Sequence, residues 1–226
     1  NFIIYIAISI FLVSCSEKVK QKSVINEKSL ELQVLESYSE GLKELEAGYV
    51  LLAAKKFNEV EILFPQSKWA PKSSLMAAYS YYSKDYYDDA ISELTRFIRV
   101  YPNNKNIHYA YYLIGMSYYE KIVDEKKDLN AILESKKEFQ FLIDNYPNTD
   151  FAIDSKFKLD LINELLASKE IYLGRYYMRK NKWVAAINRF KTVINEYDTT
   201  IYTEEALHRL VEIHYKIGLI EESKKY

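Results

Sequence analysis

The stretch Ala90-Ile91-Ser92-Glu93-Leu94-Thr95-Arg96-Phe97-Ile98-Arg99-Val100-Tyr101-Pro102 decides the fold. A small residue opens it, bulky apolar side chains follow four, seven and eleven positions later at Leu94, Phe97 and Tyr101, and a proline closes it. Those offsets fall on one face of a 3.6-residue helix. The small residue lets a neighbouring helix come close. The proline lacks an N–H and restricts the residue before it, so the helix ends there. The register recurs three more times. Ala53, Ser135 and Ala186 hold the small position, Phe57, Phe139 and Phe190 the fourth, Val60, Leu142 and Val193 the seventh, and Phe64, Tyr146 and Tyr197 the eleventh. Pro65 and Pro147 close two copies, and Asp198 replaces the proline in the last.

Just upstream of the small residue stand Gly48, Asp85-Tyr86-Tyr87 and Asn181-Lys182-Trp183, with Gly or Asn where a preceding helix should stop in two of the three. Each copy therefore reads as the second helix of a hairpin, and the pattern resembles the tetratricopeptide repeat, a helix-turn-helix unit of about 34 residues. The anchors lie 37, 45 and 51 residues apart, and the excess has two locations. One is 121–133, where Asp124-Glu125-Lys126-Lys127-Asp128 reads as a solvated insertion; the other is 149–180, helical in period throughout, which reads as one long helix or two abutting ones. The expected fold class is all-α: a helical solenoid of about five repeats over 29–226, with second helices near 50–64, 87–101, 132–146 and 183–197 and a short fifth unit over 202–226 that turns at Gly218. No repeat buries its apolar face alone, so neighbours share one core.

Composition agrees. Of 226 residues 49% are apolar and only five are Gly and four Pro, too few for the many tight turns of an all-β fold and too apolar for disorder. The balance of 31 Lys+Arg against 32 Asp+Glu removes the basic footprint of a nucleic-acid binder, and no DNA or RNA partner is expected.

The N-terminal run Phe2 to Val13 carries no charge and is too short to span a bilayer, which takes about 20 residues, so it reads as a signal-peptide core over 1–14 whose basic leading region is missing. Leu12-Val13-Ser14-Cys15 resembles the lipobox of bacterial lipoproteins: Leu three before Cys and a small residue just before it. Cleavage before Cys15 and lipidation of its thiol follow from that resemblance. An ordinary secretory signal ending near a cysteine is the alternative. Cys15 is the only cysteine, so no intramolecular disulfide can form. Residues 15–28 are polar, with Lys18, Lys20 and Lys22, and read as a solvated tether.

Three longer motifs go beyond the generic repeat. They are Arg96-Phe97-Ile98-Arg99-x-Tyr101-Pro102-x-x-x-Asn106-Ile107-x-Tyr109 with Tyr112-x-x-Gly115; Phe139-x-x-Leu142-x-x-x-Tyr146-Pro147-Asn148-Thr149-x-Phe151-x-x-Asp154; and Tyr176-Tyr177-x-x-Lys180-x-x-Trp183-Val184-Ala185-Ala186-x-Asn188-Arg189. In order and spacing the chain resembles the BamD family, lipoproteins of the outer-membrane β-barrel assembly machinery, from the lipobox nearly to the C-terminus. The resemblance implies a lipid-anchored scaffold on the periplasmic face of the outer membrane. Its implied partners are the periplasmic POTRA module of the barrel-forming BamA, docked by the C-terminal repeats, companion Bam lipoproteins, and unfolded β-barrel precursors. Arg189, with Trp183 and Asn188, stands in the stretch matching the docking repeat. On its helix Arg189 lies about 100° from Phe190, so it can leave the core for a partner or for an ion pair with Glu204 or Glu205.

Nothing suggests catalysis. His108, His208 and His214 fit no metal spacing, no phosphate loop or Gly-x-Ser-x-Gly occurs, and acidic pairs such as Asp88-Asp89 and Glu204-Glu205 open helices, where the dipole favours them. No metal and no cofactor beyond the lipid on Cys15 is expected. Tyrosines crowd repeats two and three, often in adjacent pairs that cannot all face one way; Tyr79, Tyr82, Tyr86, Tyr112 and Tyr119 are candidates to line a peptide-binding groove, the rest to pack between helices. Two other functions stay open on the residues alone. One is a different periplasmic repeat lipoprotein, coordinating envelope constriction or capturing glycans, although Trp69 and Trp183 are few platforms for sugar; the other is an envelope enzyme, for which no residue stands out.

Overall fold

Positive backbone angles mark where four of the five first helices end. Gly48 (φ 83°), Asp85 (66°), Asn181 (55°) and Gly218 (83°) each stand five residues before a small residue: Ala53, Ala90, Ala186 and Ser223. At all four the next N–H reaches back to a carbonyl five residues earlier, Tyr49 to Glu44 (2.9 Å), Tyr86 to Tyr81 (3.1 Å), Lys182 to Tyr177 (2.9 Å) and Leu219 to His214 (2.8 Å). This is the Schellman closure that a left-handed residue permits. Ser223 thereby takes the small position of the fifth unit, and it is buried like the others.

The computed structural model describes residues 29–122 and 129–226. The chain divides into two compact units, 1–33 and 34–226. Of the first, the described residues are the opening of α1, where the Gln33 N–H donates to the Ser29 carbonyl at 3.1 Å. The described helices are α1 (Leu30–Glu46), α2 (Val50–Leu63), α3 (Ala70–Tyr82), α4 (Tyr87–Val100), α5 (Ile107–Glu120), α6 (Asn130–Asn145), α7 (Asp150–Arg179), α8 (Trp183–Glu196), α9 (Thr203–Lys216) and the short α10 (Ile220–Ser223). The described residues contain no strand. Odd-numbered helices are the first members of five hairpins and even-numbered ones the second. The fold is all-α, a tetratricopeptide-type array.

The turns back from second helices share one geometry. The eleventh-position aromatic donates its N–H to the seventh-position carbonyl, as Tyr101 to Phe97 (2.8 Å) and Tyr197 to Val193 (3.0 Å), and its own carbonyl accepts from three residues on, as from Asn104 (3.0 Å) and Thr200 (3.1 Å). The fourth turn keeps this shape without proline. Thr200 Oγ1 donates to the Tyr197 carbonyl at 2.7 Å, as Thr149 Oγ1 does to the Tyr146 carbonyl at 2.9 Å in the turn that has proline. Thr203 Oγ1 adds a bond to the Asp198 carbonyl at 3.0 Å.

Every fourth- and seventh-position anchor is fully buried, from Phe57 and Val60 to Phe190 and Val193. The long stretch before repeat four is one helix of 30 residues, roughly 45 Å at 1.5 Å per residue. Its first half packs on α6 and its second half on α8, which is why its buried residues run from Ala152 to Gly174. Thr149 caps it, its hydroxyl oxygen accepting from the Ala152 N–H at 3.2 Å. The charged run Asp124 to Asp128, the signal core, Cys15 and the tether lie outside the described residues.

Candidate functional site

First helices α3, α5 and the start of α7 lie side by side and line a groove of about 470 Å³. Leu75, Met76, Tyr79, His108, Tyr109 and Phe151 form its walls, and Lys72 and Asn106 stand at its mouth. Among the candidate tyrosines, Tyr79 is part of this wall. Tyr112 sits behind it, its ring 5.0 Å from that of Phe151 and its hydroxyl donating to Asp154 Oδ2 at 2.7 Å. Tyr82 packs on Tyr87 with rings 5.9 Å apart, and Tyr119 lies against Phe139 with the Lys158 ammonium 5.2 Å from its ring centre. Tyr86 is 43% exposed at the start of α4. The structure thus puts Tyr79 in the groove wall, packs Tyr82 with Tyr79 and Tyr109 on the cluster beneath it, sets Tyr112 behind Phe151, and leaves Tyr86 and Tyr119 elsewhere.

The sequence gives no reason to place His108, Phe151 or Met76 in the groove. Phe151 is the first aromatic after Thr149 in α7, and only the folded array brings it 5.1 Å from Tyr109. Burial pushes the Tyr109 hydroxyl up to about 12, so it remains a neutral donor in the wall.

An ion pair across repeats ties α4 to α2 and to α3, one of the groove helices. Arg96 of α4 donates to both carboxylate oxygens of Glu61 of α2, at 2.9 and 2.6 Å, to Ser74 Oγ of α3 at 3.0 Å, and to Glu93 at 2.9 Å. The Tyr101 hydroxyl donates to Glu61 at 2.8 Å. Burial raises the Glu61 carboxyl, and the bonds from Arg96 and Tyr101 outweigh it, leaving the group below the usual carboxylate range. Glu61 holds the eighth position of its repeat, where Ile98, Ile143 and Ile194 stand in the others. Here a planar bidentate fork replaces apolar packing between repeats.

A second surface lies on α7 and α8. Arg189 NH1 donates to Glu170 of α7 at 3.1 and 3.3 Å, rather than to Glu204 or Glu205. Glu205 is taken by Arg175, whose Nε lies 2.6 Å from Oε1, and by Arg209 at 3.5 Å. The cause is the long α7, whose second half faces α8 and presents Glu170 to it. The Arg189 side chain stays 40% exposed, and among the described residues its remaining guanidinium nitrogens make no hydrogen bond. It borders a small cavity of about 180 Å³ with Tyr177, Ala185, Asn188 and Thr192. Asn188 is exposed, and Trp183 is half-buried with the Lys216 ammonium 5.0 Å from its ring. Exposed Val184 and Tyr176 lie on the same two helices.

Among the described residues no three His, Cys, Asp or Glu side chains gather as metal ligands. His214 is buried, with Nδ1 2.7 Å from the Leu210 carbonyl and the tilted ring of Tyr226 5.5 Å away, while His208 is exposed.

A family described as YfiO, outer membrane lipoprotein, matches residues 31–226. The chain is 39% identical to the outer membrane protein assembly factor BamD of Caulobacter vibrioides, over 95% of this chain and 69% of that protein. It is 38% identical to the BamD of Rickettsia prowazekii, over 98% and 86%, and 33% identical to that of Neisseria gonorrhoeae, over 79% and 70%. Among solved structures, a kinesin light chain of Podosopora anserina with TPR-like repeats aligns over 85% of this chain at 11% identity, with a TM-score of 0.44.

Proposed function

The chain belongs to the outer-membrane lipoprotein family that includes the BamD assembly factors, and from that membership we propose that it is a scaffold of the outer-membrane β-barrel assembly machinery. One observation carries the reading: the family match runs through every described repeat, from α1 to α10. In this reading the protein works by binding and positioning. Lipid on Cys15 holds it at the periplasmic face of the outer membrane; no described helix is long and apolar enough to cross a bilayer.

The two surfaces divide the work. The groove of α3, α5 and α7 receives an extended segment, an unfolded barrel precursor or the arm of a companion lipoprotein. Its apolar walls take side chains and its tyrosine hydroxyls supply donors. Such a segment loses conformational entropy as it orders, so affinity is modest and release is easy. The α7–α8 surface docks the periplasmic module of BamA. There the free side of the Arg189 fork offers two N–H donors to a partner carboxylate while Glu170 fixes its direction. Between them the buried ladder of anchors keeps the surfaces at fixed spacing.

Controlled depletion of the protein in its native cell tests the reading. Folded, heat-modifiable outer-membrane barrels should fall while their unfolded forms accumulate in the periplasm. Undiminished barrel assembly after depletion would contradict it.

A further inference from the structure

We propose that the loop edge of repeats one and two is a contact surface for an anionic membrane, which orients the solenoid beside its own anchor. The inference rests on the reading of Cys15 as lipidated. Because hairpins alternate direction, the loops joining α2 to α3 and α4 to α5 lie on one edge, and they share a shallow cleft lined by Lys68, Trp69, Lys72, Asn104 and Lys105. Lys68, Lys72 and Lys105 are all exposed, and among the described residues none of them pairs with a carboxylate. The Lys72 ammonium stands 4.8 Å from the ring centres of both Tyr38 and Trp69. Tyr38 lies on α1 one turn beyond Val34, so Lys72 of α3 reaches across to the first helix of repeat one. Glu36 points to the opposite face of α1 from Tyr38, by helical geometry.

The charge is local to this end of the edge. Lys68 and Lys105 hold one register position, fifteen after the small residue, where repeats three and four have Asp150 and Ile201. The farther loops add exposed Asp198 and Glu204. The tether itself carries Lys18, Lys20, Lys22 and Lys28 against Glu17 and Glu27. An anionic surface thus meets positive charge at the loops of repeats one and two and negative charge at those beyond them. All three lysines are exposed around a shallow cleft rather than converging on a buried point. That favours a diffuse surface over a single bound carboxylate. A lysine near an anionic leaflet favours the bound state about fivefold, equivalent to roughly 1 kcal/mol. Three are too few to recruit a free protein firmly but enough to orient one already tethered.

The test uses the lipid-anchored protein with Trp183→Phe, leaving Trp69 as the emitter, in phosphatidylcholine vesicles with and without phosphatidylglycerol and a headgroup-linked quencher. Quenching of Trp69 should rise several-fold with phosphatidylglycerol, fall at high salt, and vanish in Lys68→Glu/Lys105→Glu while the variant stays helical and vesicle-bound. Equal quenching in neutral and anionic vesicles, or quenching that survives the charge reversal, overturns the proposal. So does a carboxylate-ended peptide whose binding the reversal abolishes while phosphatidylglycerol has no effect, since the lysines would then serve a peptide. Sedimentation with neutral vesicles reads the anchor separately: failure there refutes lipidation and the tethered contact with it, whereas sedimentation with no charge-dependent quenching overturns the contact alone.

Discussion

Gly174 lies beneath the ring of Phe190: a Cβ at the glycine would stand 2.6 Å from both Cε1 and Cζ of the phenyl group. The same relation joins Gly41 to Phe57 and Gly115 to Phe139, each with a closest approach of 2.7 Å. Repeat two departs from it consistently. Its second helix offers the smaller Leu94, and the matching position sixteen residues earlier, as between Gly174 and Phe190, is Ala78; both are fully buried in one cluster. Ring and glycine, leucine and alanine are two solutions to one closeness of helices.

Gly174→Ala should therefore destabilise the fold by about 1–3 kcal/mol, because the buried ring has nowhere to move. Adding Phe190→Leu should recover part of that loss by recreating the Ala78–Leu94 arrangement. Denaturant midpoints of the two single variants and the double variant measure the coupling. Strictly additive losses would contradict the packing account.

Phe139→Ala should cost about 3–5 kcal/mol through the cavity it leaves. Repeats couple through neighbours, so amide exchange should quicken in α5, α6 and the first half of α7 before it quickens in α2. Uniform loss of protection along the array would count against that nearest-neighbour picture.

The Glu61–Arg96 pair sets an acid limit. Its folded carboxyl titrates below the unfolded value near 4.5, so its stabilisation is complete above that pH and is lost as pH falls through the lower folded value. Glu61→Gln should flatten the acid side of the stability profile. Arg96→Leu should cost about 2 kcal/mol at neutral pH, since it leaves a buried carboxylate short of its donors. Urea midpoints across the acid range check both.

What the sequence shows and hides follows from distance along the chain. The register of Ala90, Leu94, Phe97 and Tyr101 is local, each side chain within one helix, and so it was legible as periodicity. Asp198 in place of proline was legible as an exception, whereas the Thr203 hydroxyl bond to the Asp198 carbonyl was not. Partners fixed by packing between helices stayed hidden. Arg96 and Glu61 are 35 residues apart, and Arg189 found Glu170 because α7 runs on unbroken to meet α8. The tyrosine pairs were visible, but which member faces the groove depends on how α5 is rolled against α6 and α7. Tyr79 and Phe151 share a groove that no single segment contains.

Arg189→Leu should weaken binding to the barrel partner's periplasmic module by roughly 2 kcal/mol or more. It should leave the melting temperature nearly unchanged, because an ion pair with one side chain 40% exposed adds little to stability. Calorimetric titration and thermal unfolding of the same sample separate the two effects. Lower thermal stability with undiminished binding would make Arg189 a structural residue.

Cys15→Ala should leave the protein unlipidated, either released to the soluble periplasm or uncleaved with its signal core, since each buried methylene of an acyl chain contributes about 0.8 kcal/mol to anchoring. Intact mass of the wild-type protein reports the acyl chains directly. An unmodified wild-type mass would refute the anchor.

The central claim, a scaffold within the barrel assembly machinery, is tested most directly by purifying the detergent-solubilised lipoprotein from native membranes and identifying what accompanies it. The account predicts an integral β-barrel protein bearing periplasmic modules in stable proportion to the lipoprotein, and its loss from the Arg189→Leu preparation. Recovery of the wild-type lipoprotein with no such barrel would contradict it.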